Sequence, residues 1–315
     1  MLSFLPSPLV GGIAFLLFCF NTVLWCLVLL FFAAVKLAVP IRKVRRGLSW
    51  LLTGIATIWI EGNSLILRLT QKVDWDIQGT AGLSPKSSYL VISNHRAWTD
   101  IPVLQHSLKH RIPFLKFFLK QELIWVPLLG AAWWALDFPF LKRYSRRFLE
   151  KHPELRGKDM ETTRRHCAKF KHSPVSVMNF LEGTRFTPQK QQRQQSPYRH
   201  LLLPKAGGVA MVLSHMGDYL SHILDVTIVY PRNPRSVRFW DLLSGKIPHI
   251  IVRVKQLPVP DAVAGKNYAE DTAYREKIQR WVNTLWREKD HQIEAILAAF
   301  ATASETAGGD NRESI

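Results

Sequence analysis

No lysine, arginine, aspartate or glutamate occurs in the first 35 residues, and the first charge is Lys36. A cleaved secretory signal carries basic residues ahead of its apolar run, so that class is excluded. Cysteine is scarce: Cys19 and Cys26 lie inside an apolar run and Cys167 stands alone. Neither a disulfide framework nor a metal knuckle fits that spacing, and the chain reads as built for a reducing compartment. The 11 histidines form no metal-ligand cluster, so no metal is expected. There is no G-x-S-x-G nucleophile elbow and no internal repeat, which excludes hydrolases of that type and solenoids. Acidic residues are outnumbered 24 to 42 by basic ones, a formal charge of +18 that calls for an anionic partner. Nucleic acid is not expected, because the basic residues carry no recognisable binding signature. An anionic lipid surface is the simpler partner, at about 1 kcal/mol for each basic residue near it.

Apolar residues are abundant. From Leu9 to Val35 only Asn21, Thr22 and small residues interrupt them. As a helix that run reaches about 40 Å, more than the roughly 30 Å hydrocarbon core. Residues 1–36 are therefore expected to be a retained transmembrane anchor. Lys36, Arg42, Lys43, Arg45 and Arg46 gather on its C-terminal side, which predicts a cytoplasmic membrane protein with everything after Lys36 in the cytoplasm. Residues 37–70 are expected to form a basic juxtamembrane stretch and an interfacial helix. In Leu48–Leu69, Glu61, Asn63 and Arg68 make spanning unfavourable.

From residue 71 to 302 the pattern predicts one α/β domain, a mostly parallel sheet with flanking helices. Candidate strands are 88–93, 113–117, 135–140, 175–180, 223–230 and 250–257. Candidate helices are 97–109, 120–127, 161–171, 208–216 and 269–301. In the last, Ile278, Trp281, Val282, Leu285 and Trp286 follow the helical period. Residues 142–172 form a strongly basic insertion, 189–199 a Gln-rich loop, and 303–315 a polar tail expected to be disordered.

Chemistry concentrates after two strand-like runs. Tyr89-Leu90-Val91-Ile92 leads into Asn94-His95-Arg96-Ala97-Trp98-Thr99-Asp100. Five residues along a helix turn the direction by about 140°, so His95 and Asp100 meet only if the chain bends between them. A carboxylate on one imidazole nitrogen fixes the tautomer and leaves the other nitrogen as a base. Alone such a pair is weak, and a capped loop with a solvated aspartate is the simpler reading. A second run, Val175–Leu181, ends in Glu182-Gly183-Thr184-Arg185, and Leu203-Pro204-Lys205-Ala206-Gly207 follows.

In that order, NHxxxxD, F-x-E-G-T-R and the third block resemble the glycerolipid acyltransferase family, which makes phosphatidic acid from lysophosphatidic acid. The likeness runs from about residue 40 to about residue 295. It implies the glycerolipid acyltransferase fold seated on a membrane by N-terminal helices. It also implies an O-acyltransferase moving an acyl chain from acyl-CoA or acyl carrier protein to the 2-hydroxyl of 1-acylglycerol 3-phosphate. His95 and Asp100 are then catalytic, His95 as base with Asp100 holding it. Arg185 and Lys120 match the family's phosphate contacts, and Arg143 matches the arginine ending its second motif. Glu182 is expected to bond the glycerol or anchor its turn, and backbone N–H groups at Gly183 and Thr184 are oxyanion candidates. No cofactor is expected beyond the acyl donor, and no protein nucleophile, because the thioester is already activated. Two readings stay open beside this one: another lysophospholipid as acceptor, and a non-catalytic membrane adaptor.

Overall fold

The computed structural model describes residues 4–141, 173–233, 237–260 and 271–309. Two long helices come first, α1 (Ser7–Ala38) and α2 (Arg42–Thr70). Strands β1 (Asp74–Gln78) and β2 (Tyr89–Ser93) precede α3 (Asp100–Leu108). Then come β3 (Leu115–Phe117), β4 (Leu119–Lys120), α4 (Leu129–Ala135), β5 (Phe140–Leu141) and β6 (Ser176–Phe180). Helices α5 (Pro188–Arg193) and α6 (Gly207–Met216) lead to β7 (His222–Val229). Helix α7 (Phe239–Leu243), β8 (His249–Leu257) and α8 (Thr272–Gly309) complete the described elements.

The main sheet has the order β1-β8-β7-β2-β6-β3. Strands β3, β6, β2 and β7 run parallel, β8 is antiparallel to β7, and β1 pairs parallel with β8. The expected mostly parallel α/β architecture is therefore the one observed. Every position of β2 is buried, as an unbroken apolar run requires of a strand covered on both faces. Its period-two alternation sorts two cores. Leu90 and Ile92 pack with α6 and with Ile278, Val282, Leu285 and Trp286 of α8. Tyr89 and Val91 pack with Val103, Leu104 and Leu108 of α3 and with Ile66 and Leu67 of α2.

Helix α1 lies along the domain instead of leading away from it. Ala14 and Phe18 belong to the sheet's second core, while Cys26, Leu29 and Ala33 pack with α2 and α4. The Phe18 ring meets Phe239 of α7 edge-on at 6.1 Å. The two polar interruptions of the apolar run serve this docking. The Asn21 amide donates to Asn63 Oδ1 at 2.9 Å and to Trp59 O at 3.0 Å, and the Trp59 indole donates to Thr22 Oγ1 at 3.1 Å. Gly62 permits the approach, since a Cβ there would collide with the Asn21 amide. Glu61 pairs with Lys109 at 2.7 Å, tying α2 to the end of α3. By length and composition both helices are capable of crossing a membrane. Hydropathy does not distinguish an apolar face covered by lipid from one covered by protein, so the docking of α1 on the domain is not legible in the sequence.

Other elements depart from expectation for local reasons. Of the strand expected at 135–140, Ala135 closes α4, 136–139 are turn and coil, with Asp137 at φ 58°, and only Phe140 is strand, in β5 paired with β4. Residues expected as a helix at 120–127 make one 3-10 turn, Gln121–Trp125. Strand β1 went unread because it is an acidic, half-exposed edge. The Gln-rich loop begins inside a helix: just ahead of it Thr187 caps α5, its Oγ1 accepting from Lys190 N at 3.2 Å with Pro188 in the first turn. Helix α8 continues to Gly309, into the expected disordered tail, because each added residue extends an existing ladder. Arg143, the basic insertion and the helix expected at 161–171 lie outside the described residues.

Candidate active site

Strands β2 and β6 are parallel neighbours in register, Ser93 opposite Phe180. The chain from β2 turns toward β3 on one side, and the chain from β6 returns to β7 on the other. Both loops therefore rise from the same sheet edge at a topological switch point, where open α/β sheets form their clefts.

The two loops are stitched together. His95 N donates to Glu182 Oε1 at 3.1 Å, and Phe186 N donates to His95 O at 2.8 Å. Asn94 extends the lattice toward β7, donating to Ile228 O and accepting from Ile228 N, both at 2.9 Å. Glu182 is 0% exposed, and its second oxygen accepts from Leu202 N at 3.3 Å. Burial pushes its carboxyl up to about 8, against the lowering effect of the two backbone bonds. Through these two bonds the carboxyl ties its own turn to the His95 loop and to the chain at Leu202.

The bend required between His95 and Asp100 is present. Asp100 opens α3, and its Oδ2 lies 2.8 Å from His95 Nδ1 while also accepting from Arg96 N at 2.6 Å and Ala97 N at 2.9 Å. The Asp100 side chain is fully buried and His95 keeps 14% exposure. Nδ1 is thus occupied, which leaves Nε2 for a substrate proton. The imidazole lies flat on the Phe180 ring, with centroids 3.9 Å apart and planes at 13°.

Beside this dyad opens a cavity of about 460 Å³. His95, Lys120, Gly183, Thr184 and Arg185 line it together with a largely apolar wall that includes Cys26, Leu29, Ile55 and Trp59 of α1 and α2. The Arg185 guanidinium stacks over Trp98 at 5.4 Å. Gly183 adopts φ 66°, the left-handed conformation that favours glycine. Its N–H donates to Phe180 O at 2.9 Å and is spent on the turn. Two further cations stand here: Lys190, which the sequence motifs do not include, and Lys205, which belongs to the third block. Lys190 Nζ donates to Thr184 Oγ1 at 2.7 Å and to Arg185 O at 2.9 Å. The Lys205 side chain lies against Gly183, and the Lys205 backbone N–H donates to Leu181 O at 2.8 Å. A lysine two residues after a Thr-Pro cap was the available signal for the first. Among the described residues no group of three or more His, Cys, Asp or Glu is arranged to hold a metal.

Residues 74–231 match the family model described as Acyltransferase. The chain is 26% identical over 218 residues to "1-acyl-sn-glycerol-3-phosphate acyltransferase delta" of Mus musculus, covering 65% of this chain and 52% of that one. It is 26% identical over 266 residues to "Lysocardiolipin acyltransferase 1" of Danio rerio, covering 78% and 61%. It thus spans about half the length of the first of these relatives and three fifths of the second. The crystal structure of a 1-acyl-sn-glycerophosphate acyltransferase, PlsC, from Thermotoga maritima aligns over 89% of this chain and 97% of that chain. Identity there is 16% and the TM-score 0.49, too slight a likeness to carry weight.

Proposed function

The chain belongs to the acyltransferase family, and from that premise we propose that it acylates the 2-hydroxyl of 1-acylglycerol 3-phosphate to give phosphatidic acid, with a thioester as donor. The observation that carries this is the buried Asp100 on His95 Nδ1, with the imidazole lining a mainly apolar cavity. His95 Nε2 takes the hydroxyl proton as the oxygen attacks the thioester carbon. The carbonyl becomes an oxyanion, for which the Thr184 N–H is the remaining backbone candidate in this turn. When the intermediate collapses the C–S bond breaks, and the imidazolium returns its proton to the leaving thiolate. Asp100 holds the ring and supports its positive charge without taking the proton. No acyl-enzyme is needed.

Arg185 and Lys120 both line the cavity, and their charge suits the acceptor's phosphate. The apolar wall contributed by α1 and α2 suits a fatty chain. The outward face of α1, with Leu16 at 68% and Phe20 at 67% exposure, suits the cytoplasmic membrane. The +18 charge favours its anionic lipids. Acyl-CoA and acyl carrier protein fit equally as donors on chemical grounds.

Lys190 and Lys205 beside the Glu-Gly-Thr-Arg turn favour one second reading, an acceptor bearing a further anionic group, as in lysocardiolipin. The test is a panel of lysolipids with both donor types, using the purified full-length protein and its His95→Ala variant. Phosphatidic acid formation by wild type, reduced about 10²–10⁴-fold in the variant, is expected. Faster turnover of a polyanionic lysolipid would move the assignment to the second reading. No turnover of any acceptor would leave the adaptor.

A further inference from the structure

Asp100 has one partner that belongs to none of the sequence motifs. Tyr230, the residue after β7, donates its hydroxyl to Asp100 Oδ1 at 2.7 Å. Strand β7 pairs with β2 from Tyr89 opposite His222 to Ser93 opposite Val226. The end of β7 therefore rises beside the His95 loop on the side away from β6. Tyr230 is 3% exposed and Asp100 0%, so water does not compete for this bond. The two carboxylate oxygens have different loads: Oδ2 meets His95 Nδ1 and two backbone N–H groups, while Oδ1 meets Tyr230.

We propose that Tyr230 is a positioning residue of the reaction, whose hydroxyl locks the carboxylate rotamer that aims Oδ2 at His95 and draws charge away from that oxygen. The proposal rests on the acyl-transfer reading of the dyad. Burial and the neighbouring Asp100 hold the phenol well above its ordinary range, so it remains a donor throughout the working pH. The charged and titratable groups facing the carboxylate are His95 and Arg96 from its own loop, Glu182 from the β6 loop, and Tyr230. Of these, Tyr230 meets Oδ1. Without its hydroxyl, Oδ1 is left buried with no partner among the described residues, and the negative charge concentrates on the oxygen that faces the imidazole. The protonated imidazole is then held more firmly, and the base is available only at higher pH.

Tyr230→Phe keeps the ring and removes the donor. In the full-length protein kcat should fall on the order of tenfold to a hundredfold, the usual cost of losing a group that orients a partner, with KM for both substrates nearly unchanged. The loss should be largest on the acidic limb of the pH–rate profile and shrink as pH rises. A readout independent of turnover is the nitrogen-15 titration of the His95 ring, assigned by comparison with His95→Ala. Its midpoint should move up in Tyr230→Phe. Fluorotyrosines at 230 keep the shape while donating more strongly, so they should move the midpoint down stepwise. An unmoved titration, or a rate loss uniform across pH, overturns the proposal and makes Tyr230 a packing residue. An inactive wild type with a normal Tyr230 effect on the titration would instead sink the acyl-transfer reading alone.

Discussion

The side-chain amide of Asn21 on α1 donates to that of Asn63 on α2 at 2.9 Å, with both residues buried. The same amide reaches Trp59 O, so one polar side chain fixes the rotation and depth at which α1 seats on α2. Asn21→Leu leaves both acceptors without their donor, and stability should drop by about 1–3 kcal/mol. Thermal unfolding in detergent measures the drop. Adding Asn63→Leu should recover part of the loss, and an additive double variant would show that the pair is not coupled.

The two faces of α1 should respond oppositely to charge. Ala14 is 0% exposed against the domain and Leu16 is 68% exposed. Ala14→Lys should unfold or mislocate the domain, whereas Leu16→Lys should leave the fold intact and weaken membrane recovery in flotation assays. Equal behaviour of the two would mean that α1 leaves the domain and crosses the bilayer alone.

Acceptor binding and chemistry should separate. Arg185→Ala or Lys120→Ala should weaken kcat/KM for lysophosphatidic acid by roughly 1.5–3 kcal/mol, the range of a charge-assisted hydrogen bond. The loss should shrink for a lysolipid lacking a phosphate monoester. Arg185→Lys should restore part of it, since an ammonium lacks the planar fork. The same fractional loss on both acceptors would assign these cations to the donor or the fold.

Glu182 makes stability depend on pH. Its carboxyl stands at about 8 in the folded protein against an ordinary 4.5, chiefly through burial. A raised folded value means that the native state binds more protons than the unfolded chain between those limits. Its contribution is therefore fully present below pH 4.5 and declines as pH rises toward about 8. Glu182→Gln should flatten that slope in melting temperature over the window, even where the amide costs stability overall. A parallel slope in the two proteins would mean that another group titrates.

What the sequence determined by itself is local. A β-branched run ending in Asn94 and His95, and another ending in Glu182-Gly183-Thr184-Arg185, announce a strand and a polar turn because period-two burial and turn chemistry act between near neighbours. The helical period likewise marked the packed face of α8. Tertiary structure decided the rest. Parallel pairing brought Tyr230 to Asp100 and Glu182 to the backbone of His95, contacts between residues far apart in the chain that no spacing records. Burial, not residue type, made Glu182 an anchor. Docking, not hydropathy, gave α1 one face for the domain and one for its surroundings, because an apolar side chain leaves water equally readily for lipid or for protein.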